Sequence, residues 1–451
     1  MIGQPLSNPL PDSGARLGKL WRITALVLGL TFFGIEHQLK MSVNLPGMEG
    51  VDSQLDEMTE SGSTLRRVSY TSVGAFALLL LALPAKRRLQ PLNAVVLLML
   101  AYCGFCALSY FWSDDPALTF RRLPILAFCL LAVLGIAKHF NPREVCWLVL
   151  AVTGSFLLVG VAAEVALGAL RPHLGDYRFS GTTHPNTQGI NCALLALAGL
   201  VLARDATRGR WLLLGSVALA VLFLLLTKSR TSCFAFAAAV WVLYVMRLKG
   251  HSKPLAVFAT GFAGGTAVLL LLFASNHLLG QVYEAALLGR TEQASSFSGR
   301  VPLWREILAY VEYRPWLGYG YGAFWNVERV QDFIITQGWQ ISHAHSGLFE
   351  PLANVGVIGV ALFAAALVVG VLQALRRHAQ TGDQAYAFIL AQVAFGAVSS
   401  IGDAYYVIPS FCATVCACSL ASMAMTRRQA EPSEHTVQQV ASPPLTPVEA
   451  K

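Results

Sequence analysis

His343 and His345 stand two residues apart in Ser342-His343-Ala344-His345-Ser346-Gly347-Leu348-Phe349-Glu350, where a long polar segment meets an apolar run. An imidazole at such a boundary titrates near neutral pH and can take a hydroxyl proton as general base, or simply hydrogen-bond at an interface. His-x-His spacing also suits a metal, but the neighbouring polar segments offer no clear third ligand, so no metal or other cofactor is expected. Glu350, about one and a half helical turns beyond His345, either orients an imidazole or caps loop amides.

Cations occupy the other polar strings. Arg178 opens Arg178-Phe179-Ser180-Gly181-Thr182-Thr183-His184-Pro185-Asn186, whose last three residues also read as a turn and helix start. Lys228 and Arg230 fill the tight turn Thr227-Lys228-Ser229-Arg230-Thr231-Ser232. Arg230 begins a helix whose N-terminal amides add positive potential, a combination suited to phosphate. Arg300 follows Ser298-Gly299 and heads a segment with Leu303, Trp304, Ile307, Leu308 and Val311 at helical spacing. That pattern predicts an amphipathic helix on the membrane surface, with Pro302 tolerated in its first turn. Each cation has a plainer reading as a partner of lipid headgroups.

Two more strings are ambiguous. Asp114 and Asp115 in Trp112-Ser113-Asp114-Asp115-Pro116 resemble a metal-binding pair, although capping of the next turn explains them more simply. Pro315-Trp316-Leu317-Gly318-Tyr319-Gly320-Tyr321-Gly322 places three glycines at alternate positions, permitting a tight backbone path near a ligand or within a loop. It lacks the pore helix and four-fold setting of an ion filter.

Membrane-spanning helices must position these strings. The 451-residue chain is 55% hydrophobic and 13% charged, against about 25% charged in soluble domains, so it is read as an integral membrane protein. Apolar runs suggest about twelve spans, at 22–37, 69–84, 92–112, 123–137, 145–168, 187–203, 211–226, 231–246, 255–275, 348–374, 385–401 and 404–425. The net charge of +8 gathers in alternate connections, at Lys86, Arg87 and Arg88, at Lys138 and Arg143, at Arg204, Arg208 and Arg210, and at Arg376 and Arg377. Those connections are therefore expected inside, with both termini, while the histidine and arginine strings fall outside. The surplus charge follows this membrane rule, and no nucleic-acid partner is expected. Arg66, Arg67, Arg121 and Arg122 also fall outside without an assigned role. All nine cysteines lie in apolar spans, where packing is the simpler reading.

The division expected is a cytoplasmic segment at 1–21, a membrane domain at 22–426 with a long outer loop at 276–346, and a disordered tail at 427–451. The first span is expected to be an anchor and not a cleaved signal.

The chain resembles the O-antigen ligase and polymerase superfamily, bacterial membrane glycosyltransferases acting on lipid-linked sugars at the periplasmic face. The resemblance rests on Trp112-Ser113-Asp114-Asp115-Pro116, Arg178 with His184-Pro185-Asn186, Ser229-Arg230, Ser298-Gly299-Arg300 with Trp304, Gly318-Tyr319-Gly320, and His345 through Glu350 with Gly356 and Gly359. It departs at Ser346, where the family usually has Asn. The resemblance implies an all-α polytopic protein of the bacterial inner membrane with a periplasmic site. His345 would be the essential histidine, and Arg230 and Arg300 would bind the lipid diphosphate. Arg178, Lys228, His184, Asn186, His343, Glu350, Trp304 and Tyr319 are expected to contact substrate. The donor implied is an undecaprenyl-diphosphate-linked glycan, and the acceptor a glycan or lipid A-core. Ligation and repeat-unit polymerisation remain open, with protein hydroxyls a third acceptor. A transporter or flippase is disfavoured by spans nearly free of charge.

Overall fold

A computed structural model describes residues 13–36, 64–85, 89–90, 92–174, 177–248, 300–338, 341, 343–402, 405–406 and 409–426. Among these are thirteen α-helices, and the extended pairing described is one isolated bridge between Leu89 and Thr426. The helices are α1 (Ser13–Glu36), α2 (Thr64–Ala82), α3 (Ala94–Leu108), α4 (Pro116–His139), α5 (Pro142–Ala166), α6 (Pro185–Asp205), α7 (Arg210–Leu226), α8 (Arg230–Arg247), α9 (Arg300–Tyr313), α10 (Val327–Gln337), α11 (Phe349–Thr381), α12 (Gln384–Gly402) and α13 (Phe411–Met425). Eight of them are long and apolar enough to cross a membrane, and α7 and α13 are shorter apolar helices. The protein is an all-α polytopic membrane protein. Eleven expected spans coincide with helices, whereas the span at 255–275, the tail at 427–451 and much of the loop at 276–346 lie outside the described residues.

Helices start where the sequence offers caps. Asp115 accepts from the Leu118 amide at 2.8 Å ahead of Pro116, and Asn141 forms a reciprocal box with Glu144 ahead of Pro142. His184 precedes Pro185 and accepts the Asn186 amide on Nδ1 at 3.2 Å. Proline suits these first positions because its missing N–H has no partner there anyway.

α6 and α12 form the interior. In their most apolar stretches 78% and 72% of residues are buried, against at most 50% in the other candidate spans. Small residues permit this: a Cβ on Gly199 of α6 would come within 2.7 Å of Val217 in α7. α8 packs along α12, and α5 and α7 flank α6. One end of this bundle joins Arg204 to Gln384 at 2.6 Å, Arg377 to the Thr426 carbonyl at 2.8 Å and Lys138 to the Leu81 carbonyl at 2.5 Å. The basic connections thus share an end, and the histidine and arginine strings share the other.

α11 breaks at Gly356, with φ 63° and ψ −169°, a backbone state that needs glycine. The segment 315–320 fills the break. Tyr319 and Gly320 amides donate to the Ala353 and Asn354 carbonyls at 3.0 and 2.8 Å, and Val357 and Ile358 amides donate to Pro315 and Trp316 at 2.8 and 3.2 Å. Groups freed by the break are satisfied by protein, as non-helical backbone in a membrane protein requires. The close approach forbids side chains: a Cβ on Gly318 would lie 2.7 Å from the Asn354 backbone. The ligand anticipated for the glycine string is the broken helix itself.

α9 was expected on the membrane surface. Its stripe instead packs on protein, with Leu303, Ile307 and Val311 buried in a cluster with Tyr319, Phe324, Trp325, Phe333 and the start of α11.

Candidate active site

Three chain segments meet at the carboxyl end of α12. Arg300 Nη1 donates to the Gly402 carbonyl. A Cβ placed on Gly402 would sit 2.9 Å from that Arg300 nitrogen and 3.2 Å from Thr231 Oγ1. Thr231 follows Arg230 at the head of α8, and Arg300 heads α9. The N-terminus of α8, whose amides add partial positive charge, and the first described residue of α9 therefore converge.

The imidazole loop docks on the same end. The Gly347 amide donates to the Ser400 carbonyl at 2.8 Å, and buried Ser346 accepts on Oγ from Leu348 and Phe349 amides at 3.3 and 3.5 Å. The Ala344 backbone is held at both of its polar groups: Trp304 Nε1 donates to its carbonyl at 2.9 Å, and its amide donates to Glu350 at 2.7 Å. Glu350 is buried and also accepts from Trp325 Nε1 at 2.9 Å and Asn354 Nδ2 at 3.0 Å. His343 and His345 rings lie 3.8 Å apart between centroids at 43°. Burial, then the charges of His343, Arg300 and His184, push His345 down to about 2, so its imidazole is neutral.

Arg178 completes the edge. Its Nε donates to the Thr227 carbonyl at 3.0 Å and its Nη2 to Asn186 Oδ1 at 3.1 Å. Glu164, buried near the end of α5, fixes this loop by accepting from Tyr177 Oη at 2.5 Å, Ser180 N at 2.9 Å and Gly181 N at 2.7 Å. Lys228 has φ 49° and His345 φ 47°; among the described residues these are the non-glycine positions in the left-handed region. Such backbone costs about 1–3 kcal/mol and clusters at functional sites.

The expected site residues separate into two groups. Arg178, His184, Asn186, Lys228, Arg230, Arg300, His343 and His345 gather around this helix end. Glu350, Trp304 and Tyr319, expected against substrate, are instead given protein partners: the first two hold Ala344, and buried Tyr319 donates its hydroxyl to the Tyr310 carbonyl at 2.8 Å inside the aromatic cluster. Asp115 caps α4 as expected, whereas Asp114 pairs with Arg314 and Arg329 at 2.6 and 2.8 Å. Sequence reasoning missed Glu164, Thr231, Ser400 and Gly402. Glu164 alone carried a signal, as a carboxylate at the end of an apolar span.

Residues 215–364 match the family model described as O-antigen ligase. That stretch holds Arg230, Arg300, Trp304, His343, His345 and Glu350. The chain is also 25% identical over 300 residues to the exopolysaccharide production protein ExoQ of Rhizobium meliloti (strain 1021). The alignment covers 63% of this chain and 66% of that protein, just under two thirds of its length. The O-antigen ligase match thus falls on the segment that carries Arg230, Arg300 and the His345 loop, and the chain is similar to an exopolysaccharide production protein over 63% of its own length.

Proposed function

We propose that the protein is an O-antigen ligase-like glycosyltransferase that moves a glycan from undecaprenyl diphosphate to a sugar hydroxyl at the periplasmic face of the bacterial inner membrane. The observation that carries this reading is the meeting of Arg300, the head of α8 and the His345 loop at the end of α12. In the reaction, His345 takes the proton of the acceptor hydroxyl as its oxygen attacks the anomeric carbon. The bond from that carbon to the donor phosphate breaks, and its electron pair leaves on the diphosphate. Arg230 and Arg300, reinforced by the N-terminus of α8, stabilise that growing charge without a metal, with Arg178 and Lys228 beside them. Attack opposite the leaving group inverts the anomeric centre.

The basic opposite end supports a cytoplasmic placement for that side and for both termini. Polymerisation of repeat units is the second reading, favoured by the exopolysaccharide role in the name of the similar protein. The test is purified full-length protein with a defined polyprenyl-diphosphate-linked glycan and two acceptors, a lipid A-core and a second carrier-linked repeat, with and without chelator. Transfer to lipid A-core that survives chelation supports ligation, and growth of carrier-linked chains supports polymerisation. Transport of the lipid across a bilayer without a new glycosidic bond would overturn both.

A further inference from the structure

We propose that Trp304 and Glu350 are positioning residues that grip the two peptide groups flanking the Ala344 Cα, one at its carbonyl and the other at its amide, and hold the His345 imidazole in register with Arg300. The inference rests on the transferase reading above, and it assigns these side chains a task in which neither touches substrate.

The grip is bilateral. Trp304 donates to the Ala344 carbonyl at 2.9 Å, and Glu350 accepts from its amide at 2.7 Å. Two successive peptide groups are held, the 343–344 group at its nitrogen and the 344–345 group at its oxygen, which restricts the backbone at Ala344, and the next residue, His345, keeps a left-handed φ of 47°. A histidine rarely adopts that state unless its surroundings over-determine it. Each gripping side chain is itself fixed. Trp304 stacks on Phe349 with ring centroids 5.3 Å apart, and Glu350 is held by Trp325 and Asn354.

Register comes from α9. Arg300 and Trp304 are four residues apart in one helix, hence on one face, so the first turn of α9 sets a fixed offset between two anchor points. At one, Arg300 reaches the Gly402 carbonyl; at the other, Trp304 reaches Ala344. Gly347 ties the far side of the histidine loop to Ser400, in the same last turn of α12. The leaving-group cation and the base are thereby mounted on a closed frame of α9, α12 and the 343–350 segment. Misplacement of a reacting group by about 1 Å can cost about a hundredfold in rate, the scale on which such a frame matters.

Trp304→Phe tests this, because it keeps an aromatic ring against Phe349 and removes the donor. With purified full-length protein and a synthetic polyprenyl-diphosphate-linked saccharide, kcat should fall about a hundredfold while KM for that donor stays within about twofold. The pH profile supplies a readout that loss of folded protein would not move. Burial, and then the charges of His343, Arg300 and His184 that face it, keep the His345 imidazole neutral through the acid range. Release of the loop to water returns it toward about 6.5, so turnover of the variant should acquire an acid limb absent from the wild type. Glu350→Gln attacks the grip from the amide side and should give the same split. Thr336→Val removes a contact between α10 and Glu306 of α9 elsewhere in this segment and should change neither quantity. Wild-type turnover and profile in Trp304→Phe would overturn the inference, as would loss explained wholly by raised donor KM or by unfolding of both grip variants. Product absent from the wild type would instead defeat the transferase reading, and the inference with it.

Discussion

Two corners at the histidine-bearing end of the bundle are rich in arginine, and they use it in opposite ways. At the corner of α3 and α4, Asp114 bridges Arg314 and Arg329, and Arg329 lies over the rings of Tyr310, Tyr319 and Phe324 at 5.2, 4.6 and 4.9 Å. A carboxylate and three π-faces absorb that charge and clasp the 314–329 segment to the membrane helices. At the end of α12, the partners described for Arg178 and Arg300 are neutral oxygens of Thr227, Asn186 and Gly402. Neutral acceptors orient a guanidinium without cancelling it. Arginine paired with carboxylate and rings clasps scaffold to scaffold; the described contacts of Arg178 and Arg300 fix where a guanidinium sits beside the histidine loop.

Alanine at each corner gives the sharpest contrast. Arg300→Ala should lower turnover by about a thousandfold or more, the scale of losing a preorganised charge donor, with insertion and melting unchanged. Arg329→Ala should do the reverse, costing about 2 kcal/mol of stability, the lower side of a broken buried pair given its partial exposure, with kcat per folded molecule retained. Thermal melting in detergent beside turnover separates the two. Equal loss of turnover in both would erase the distinction.

Gly402→Ala sharpens the comparison without altering any charge. The added methyl would lie 2.9 Å from Arg300 Nη1 and 3.2 Å from Thr231 Oγ1, so the guanidinium must leave its seat. Turnover should fall about a hundredfold, the cost of a misplaced reacting group, and donor affinity by less. Full activity would show that the seat does not fix the cation.

The next effect falls on donor binding. Glu164→Ala leaves the Ser180 and Gly181 amides and the Tyr177 hydroxyl without their common acceptor and frees the Arg178 loop. KM for the lipid-linked donor should rise about tenfold, with kcat less affected, because uniform binding is what is lost. Glu164→Gln keeps an oxygen for both amides and should recover most of the affinity. Unchanged KM in the alanine variant would remove Arg178 from the donor site.

These contrasts explain what the sequence disclosed. Apolar runs had to be buried in lipid or protein, so eleven helices were legible, and polar residues between them had no burial to account for them, which singled out Arg230, Arg300 and His345. Hidden were features set by packing between remote segments. The run 348–374 reads as one helix, and nothing local distinguishes Gly356, whose left-handed backbone exists only because 315–320 fills the break. Gly402 and Ala344 offer the site only backbone, which carries no chemical type. Asp114 and Asp115 are neighbours of identical type, and only the fold brings two arginines to the first while leaving the second to cap α4.

The smallest effect concerns strain. Lys228, like His345, holds a left-handed φ, here 49°, directly after the Thr227 carbonyl that anchors Arg178. Glycine takes this conformation without penalty, so Lys228→Gly should relieve about 1 kcal/mol, partly offset by the greater chain entropy of glycine in the unfolded state. The same change removes a cation from the donor edge, and turnover should fall a few fold while melting rises by a degree or two on the scale of large domains. Opposite movement of stability and activity is the mark of a residue kept for function against its own backbone preference. At the Asp114 corner, where described arginines make ion pairs and ring contacts, substitutions should lower both together, and a Lys228→Gly variant that did likewise would place this turn with the scaffold.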